Sequence, residues 1–174
     1  HKLFVFATFL YQEGKYFNGI CHYFRTQQPH TPKGEPSVIV SASTVHHGDP
    51  NILIREKRKG EWFGTKEILQ SYIIVEFNWE RAAITGYSLQ THDQTGKGHI
   101  NNWTLSGSND GENWTVLDKI SNNSTINGPG KVNYFPLKEQ SAPFKMFKIC
   151  QDKANPLGYY ALSLSHVEFF GTIQ

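Results

Sequence analysis

Between residues 100 and 120 the chain alternates apolar and polar positions with period two. Trp103, Leu105 and Gly107 share one face, and Asn102, Thr104 and Ser106 the other, the pattern of a half-buried strand. Ser108-Asn109-Asp110-Gly111 supplies a turn, because Asn and Asp tolerate left-handed backbone and Gly reaches it at no steric cost. Trp114, Val116 and Ile120 resume an apolar face. The stretch therefore reads as a hairpin with two tryptophans in its core.

The same reading predicts strands elsewhere. Residues 2–11 form an apolar leading run, and residues 16–24 a second one. Residues 37–43 are short and β-rich, and 72–77 (YIIVEF) are apolar on both faces, hence central and buried. Further strands are expected over 84–91, 131–137, 144–150 and 159–169. In the last of these, the step of three from Leu164 to Val167 suggests a β-bulge. Residues 51–71 are the least periodic and read as a long connection with one helical turn at 67–70. The expected fold is all-β, an antiparallel β-sandwich or jelly roll of about eight strands. Residues 1–15 would be a leading strand or edge segment and 16–174 the domain.

Composition narrows this picture. At 174 residues the chain suits one domain, and 14% aromatic with 18% charged residues favours β over helix. A net charge of +2 without a basic stripe argues against nucleic acid. The cluster Arg55-Glu56-Lys57-Arg58-Lys59 is broken by an acid and reads as a solvated loop. No apolar run reaches the roughly 20 residues of a membrane span, and residues 3–10 are too short for a signal peptide. The chain starts at His1 and its only methionine is Met146, so it reads as a fragment or processed product. Cys21 and Cys150 lie in apolar runs and are expected as buried free thiols. Of the Asn-X-Ser/Thr patterns, those at Asn102 and Asn113 lie against tryptophans. The overlapping pair at Asn122 and Asn123 is a glycosylation acceptor if the chain is secreted.

At the hairpin the sequence resembles a known family. Residues 103–111 (WTLSGSNDG), with Trp114 three positions on, are similar to the discoidin, or coagulation factor 5/8 type C, domain. Val40-Ser41-Ala42-Ser43, residues 73–77, Ile84-Thr85-Gly86-Tyr87, Phe147-Lys148-Ile149 and residues 162–171 (LSLSHVEFFG) resemble its other strands in order. Phe17-Asn18-Gly19-Ile20 and Asn155-Pro156-Leu157-Gly158 look most like the intracellular branch found beside BTB domains and in ubiquitin-ligase adaptors. The resemblance implies a galactose-binding-like sandwich whose ligands bind on loops at one end. The apparent counterparts of those loops are residues 44–51, 62–71, 92–99 and 152–160. The ligand-binding candidates are His46, His47, Asp49, Thr65, Lys66, His92, Asp93, Lys97, His99 and Asn155.

Catalytic signatures are absent from the sequence: there is no HExxH, no nucleophile motif and no phosphate-binding loop. His and Asp cluster at 46–49 and 92–99, but they read as polar turn formers, so neither a metal nor a cofactor is expected. The leading function is a non-enzymatic module for protein–protein contact in a larger cytoplasmic protein. The alternative is a glycan-binding module, in an extracellular setting, with Trp62-Phe63 or Tyr159-Tyr160 as its aromatic platform. The loop tips HHGDP and HDQTGKGH disfavour membrane insertion.

Overall fold

The computed structural model describes residues 7–174. Residues 1–6 of the expected leading strand lie outside the described residues. The described chain forms β1 (Ala7–Phe9), α1 (Ile20–Gln27), β2 (Val38–Ala42), a short 3-10 helix (Pro50–Ile54), β3 (Phe63–Gly64), β4 (Tyr72–Phe77) and β5 (Ala82–Gln90). There follow β6 (Trp103–Ser108), β7 (Thr115–Ile120), β8 (Val132–Pro136), β9 (Met146–Cys150), β10 (Ser163–Leu164) and β11 (His166–Ile173).

These strands make an antiparallel β-sandwich. One sheet runs β1-β11-β5-β8, the other β2-β4-β9-β6-β7, and β10 with β3 forms a small third sheet. The two large sheets meet through aromatic rings. Trp103 of one sheet stands edge-on to Phe135 of the other at 5.1 Å, and Phe147 meets Phe169 at 5.2 Å. Trp103 is fully buried and donates its Nε1–H to the Tyr87 hydroxyl at 2.8 Å, which donates to Asp118 Oδ2 at 2.8 Å. A buried indole and phenol thus both find partners.

Several elements differ from the sequence reading, each for a physical reason. Residues 20–24, expected as the end of a strand over 16–24, begin the helix α1. Ile20, Cys21 and Phe24 are its buried positions, a spacing that suits one helical face. Its N-terminus has no local side-chain cap. The cap comes instead from β11: Glu168, 1% exposed, accepts from the backbone N–H groups of Gly19, Cys21 and His22 at 3.0, 2.8 and 3.1 Å. A Cβ on Gly19 would collide with the Phe169 carbonyl and the Glu168 side chain, so only glycine permits this approach. The expected helical turn at 67–70 is a non-helical turn, with Gln70 at φ 63°.

In the hairpin, Trp103 and Leu105 are core as expected, but Trp114 and Val116 are not. The β6–β7 register shifts between Leu105 and Ser106, so Leu105 faces Asp118 and Ser106 faces Val116. The bulge turns Leu117 onto the core and leaves Val116 63% exposed. Trp114 lies on the outer face, half-buried under Lys148, whose Nζ is 4.1 Å from the ring centroid. The step from Leu164 to Val167 is not a bulge but the break between β10 and β11. The register shift of β11 lies at Phe170/Gly171, where Gly171 has φ 148° and its Cα faces the Ala83 carbonyl too closely for a side chain. β4 is central, between β2 and β9, yet only Ile73, Val75 and Phe77 are buried. Cys21 and Cys150 are free thiols. Cys21 is buried, whereas Cys150 is only half-buried.

Candidate ligand-binding site

The loops at one end of the sandwich converge because backbone bonds lace them together. His46 N–H and His47 N–H both donate to the Gly64 carbonyl, at 2.8 and 3.0 Å, and Gly64 N–H returns to the His47 carbonyl at 2.9 Å. The loop after β2 is therefore fastened to β3. Thr65 joins that strand to the segment before β10. Its N–H donates to the Leu162 carbonyl at 2.9 Å, and its hydroxyl accepts from Leu162 N–H at 2.9 Å. Lys66 N–H donates to Thr44 Oγ1 at 3.0 Å.

Asn155 does the same for the last two loops. It is 7% exposed, donates from Nδ2 to the Lys97 carbonyl at 2.6 Å, and accepts on Oδ1 from Leu157 and Tyr159 N–H at 3.0 and 3.1 Å. All the amide's principal bonding capacity goes to backbone, so Asn155 positions Lys97 and Tyr159.

Between these loops lies a cleft of about 440 Å³, in the range of small-molecule sites. His46, Thr65, Lys66, His92 and Lys97 of the sequence-derived candidates line it, with Trp62, Glu67, Gln94, Tyr159, Ala161 and Ser163. Trp62 and His92 of the lining belong to a row of four rings. His47 lies flat on Trp62 at 4.0 Å, Trp62 leans on His92 at 5.3 Å, and His92 stacks on His99 at 4.6 Å. Also in the lining, Lys97 Nζ sits 5.9 Å from the Tyr159 ring centroid.

His92 is a buried wall residue, 3% exposed, with both nitrogens engaged. Nδ1 accepts from Gln94 N–H at 3.0 Å and Nε2 lies 3.2 Å from the Gly98 carbonyl, which places the proton on Nε2. Burial, helped by neighbouring His99, lowers its pKa below the usual imidazole value. His92 therefore stays neutral near pH 7.

The remaining candidates stand apart from the cleft. Asp49 caps the 3-10 helix through Asn51 N–H at 2.9 Å and pairs with Arg55 at 3.3 Å. The Asn51 backbone bond holds its carboxyl below the usual range. His47 and His99 support the ring stack from either end without lining the opening. Asp93 is exposed beside Gly130. Among the described residues no three His, Cys, Asp or Glu side chains converge on a point where a metal would sit.

Sequence reasoning named Trp62 and Tyr159 only as an alternative platform, and it missed Glu67, Gln94 and Ser163. Phe63, paired with Trp62 in that platform, is fully buried core. The rim is also more apolar than the tips at 46–50 and 92–99 suggest, since Val45, Ile68, Leu69, Leu157 and Tyr160 are all exposed there. A second hollow of about 410 Å³ lies between α1, β2 and the 3-10 helix. Its arginines are engaged, Arg25 with His22 and Arg55 with Asp49, and of the four loops only the last residue of 44–51, Asn51, reaches it.

No family model matches the sequence. Over 93 residues, 51% of the chain, it is 30% identical to the E3 ubiquitin-protein ligase Ufd4 of Drosophila melanogaster, and the match spans 3% of that protein's length. A CBM32 carbohydrate-binding module from Clostridium perfringens, solved in complex with GalNAc-β-1,3-galactose, superposes with a TM-score of 0.64 at 16% identity, covering 78% of this chain and 96% of the module. A fucose binding module from Streptococcus pneumoniae gives 0.58 at 18% identity, covering 76% and 90%. The chain thus shares the β-sandwich fold of these modules.

Proposed function

We propose that this chain is a non-catalytic glycan-binding module that holds a sugar in the loop-end cleft. One observation carries the reading: Trp62 and Tyr159 share a single open cleft with Lys66, Glu67, Gln94, Lys97 and Ser163. A sugar ring offers an apolar C–H face and a rim of hydroxyls, and such a cleft meets both with few groups. The fold supports the same reading, because its solved relatives include a module in complex with GalNAc-β-1,3-galactose and a fucose binding module. A glycan array tests it. Saturable binding is expected, and Trp62→Ala or Tyr159→Ala should each lower affinity about threefold to tenfold, the scale of one lost aromatic contact. An array without saturable signal from the folded wild type would refute the reading.

The second reading is a protein-contact module working in the cytoplasm, favoured by the 30% match to a ubiquitin ligase. Saturable binding to a purified cytoplasmic protein that free sugar does not displace would favour it over the first.

A further inference from the structure

We infer that the sugar for this cleft is an anionic one, carrying a carboxylate or sulfate group. The inference rests on the glycan reading and goes beyond it by assigning the ligand's charge. Three fully charged side chains line the cleft: Lys66, Glu67 and Lys97. The one acid among them, Glu67, has its carboxylate occupied by the backbone N–H groups of Tyr160 and Ala161. Neither lysine has a carboxylate partner, since the ion pairs among the described residues are Arg55 with Asp49 and Lys145 with Glu76. The other acids on the loops pair with neither lysine: Asp93 is exposed beside Gly130. Asp49 holds Asn51 and Arg55, and Asp152 accepts from the Thr104 hydroxyl at 2.7 Å.

The cleft therefore presents two ammonium groups without a counter-ion. Lys97 Nζ stands by the Tyr159 ring, where a bound sugar's substituent would meet it, and its backbone is fixed by Asn155. An ammonium beside an aromatic wall is less well solvated than one in free water, and an anion brought there interacts more strongly. Lysine acts as a point charge, so carboxylate and sulfate suit it equally.

Calorimetric titration of the whole chain with matched sugars tests this. Galactose, galacturonic acid and galactose 6-sulfate are compared at low and at high salt. The acidic sugars should bind about threefold to tenfold tighter at low salt, with the difference shrinking at high salt. Lys66→Gln with Lys97→Gln should erase that difference, bringing the affinity for the acidic sugars down to that for galactose, with thermal stability unchanged. Equal affinities for the three sugars would overturn the anionic assignment and leave the glycan reading standing. Binding of none of them, with the array also blank, would overturn both, as would saturable binding of a poly-glutamate peptide alone.

Discussion

Replacing Glu168 by Gln separates the two roles of the buried carboxyl that caps α1. Oε1 accepts from Cys21 and Phe169 N–H, both at 2.8 Å, and Oε2 from Gly19 and His22 N–H at 3.0 and 3.1 Å. Glutamine keeps one oxygen and sets an NH₂ group against the other two donors. Each buried N–H left unpaired costs about 1–3 kcal/mol, so Glu168→Gln should lose about 3 kcal/mol in all. A domain with about 5–15 kcal/mol of stability remains folded, and urea unfolding followed by tryptophan emission measures the loss.

The pH dependence adds a second test. Burial pushes the Glu168 carboxyl up from 4.5 to about 7, against the pull of its four backbone donors. The folded chain holds that proton more firmly than the unfolded one. Its contribution is therefore fully present below about pH 4.5 and is lost as pH rises through about 7. His166 runs the other way. Burial, with Arg25 and Lys57 nearby, lowers it from 6.5 to about 3. Its contribution is present above about pH 6.5 and is lost as pH falls through about 3. Near pH 5.5 the two slopes, each approaching about 1.4 kcal/mol per pH unit, nearly cancel. These two groups should thus leave wild-type stability between about pH 5 and 6 to the gentle rise that buried His92 adds, while Glu168→Gln should be steeper by about 1 kcal/mol per unit over that window. A loss under about 1 kcal/mol, or the same slope in both proteins, would refute the cap.

Three further substitutions test the packing and the site. Trp103→Ala should cost about 3–5 kcal/mol, as a fully buried aromatic does, while Trp114→Ala, on the outer face, should cost under about 1 kcal/mol; equal losses in chemical denaturation would show the bulge to be misplaced. Asn155→Ala removes three buried bonds that hold Lys97 and Tyr159, so it should weaken ligand binding at least about fivefold and lower stability by about 1–3 kcal/mol; unchanged affinity on the array would remove it from the site.

The longer strands were legible because their signal is local. Residues 72–77, 84–91 and 144–150 carry their burial pattern in consecutive side chains, and a two-layer sandwich is what such strands with short turns can build. Phe17 to Phe24 misled because its apolar density suits a strand or a helix equally. The decision belongs to Glu168, about 150 residues away in sequence. His46, Lys66, His92 and Lys97 were found because polar loop residues at a sandwich end are exposed to choice by composition alone. Asp49 was chosen on the same ground and proved to be a helix cap, since short-range carboxylate chemistry is common to caps and sites.

By itself, then, the sequence determined the alternation of strands, the turn at Asn109-Asp110-Gly111 and the loops that would crowd one end. Tertiary structure decided which groups are still free to meet a ligand. Asn155, Thr65 and Glu67 spend their polar atoms on backbone from distant segments, and His92 is closed in by Trp62 and His99. Lys66 and Lys97 pair with no carboxylate, since the ion pairs among the described residues are Arg55 with Asp49 and Lys145 with Glu76. A side chain's type is written in the chain, but whether its bonding capacity is already used depends on partners that only folding brings within reach.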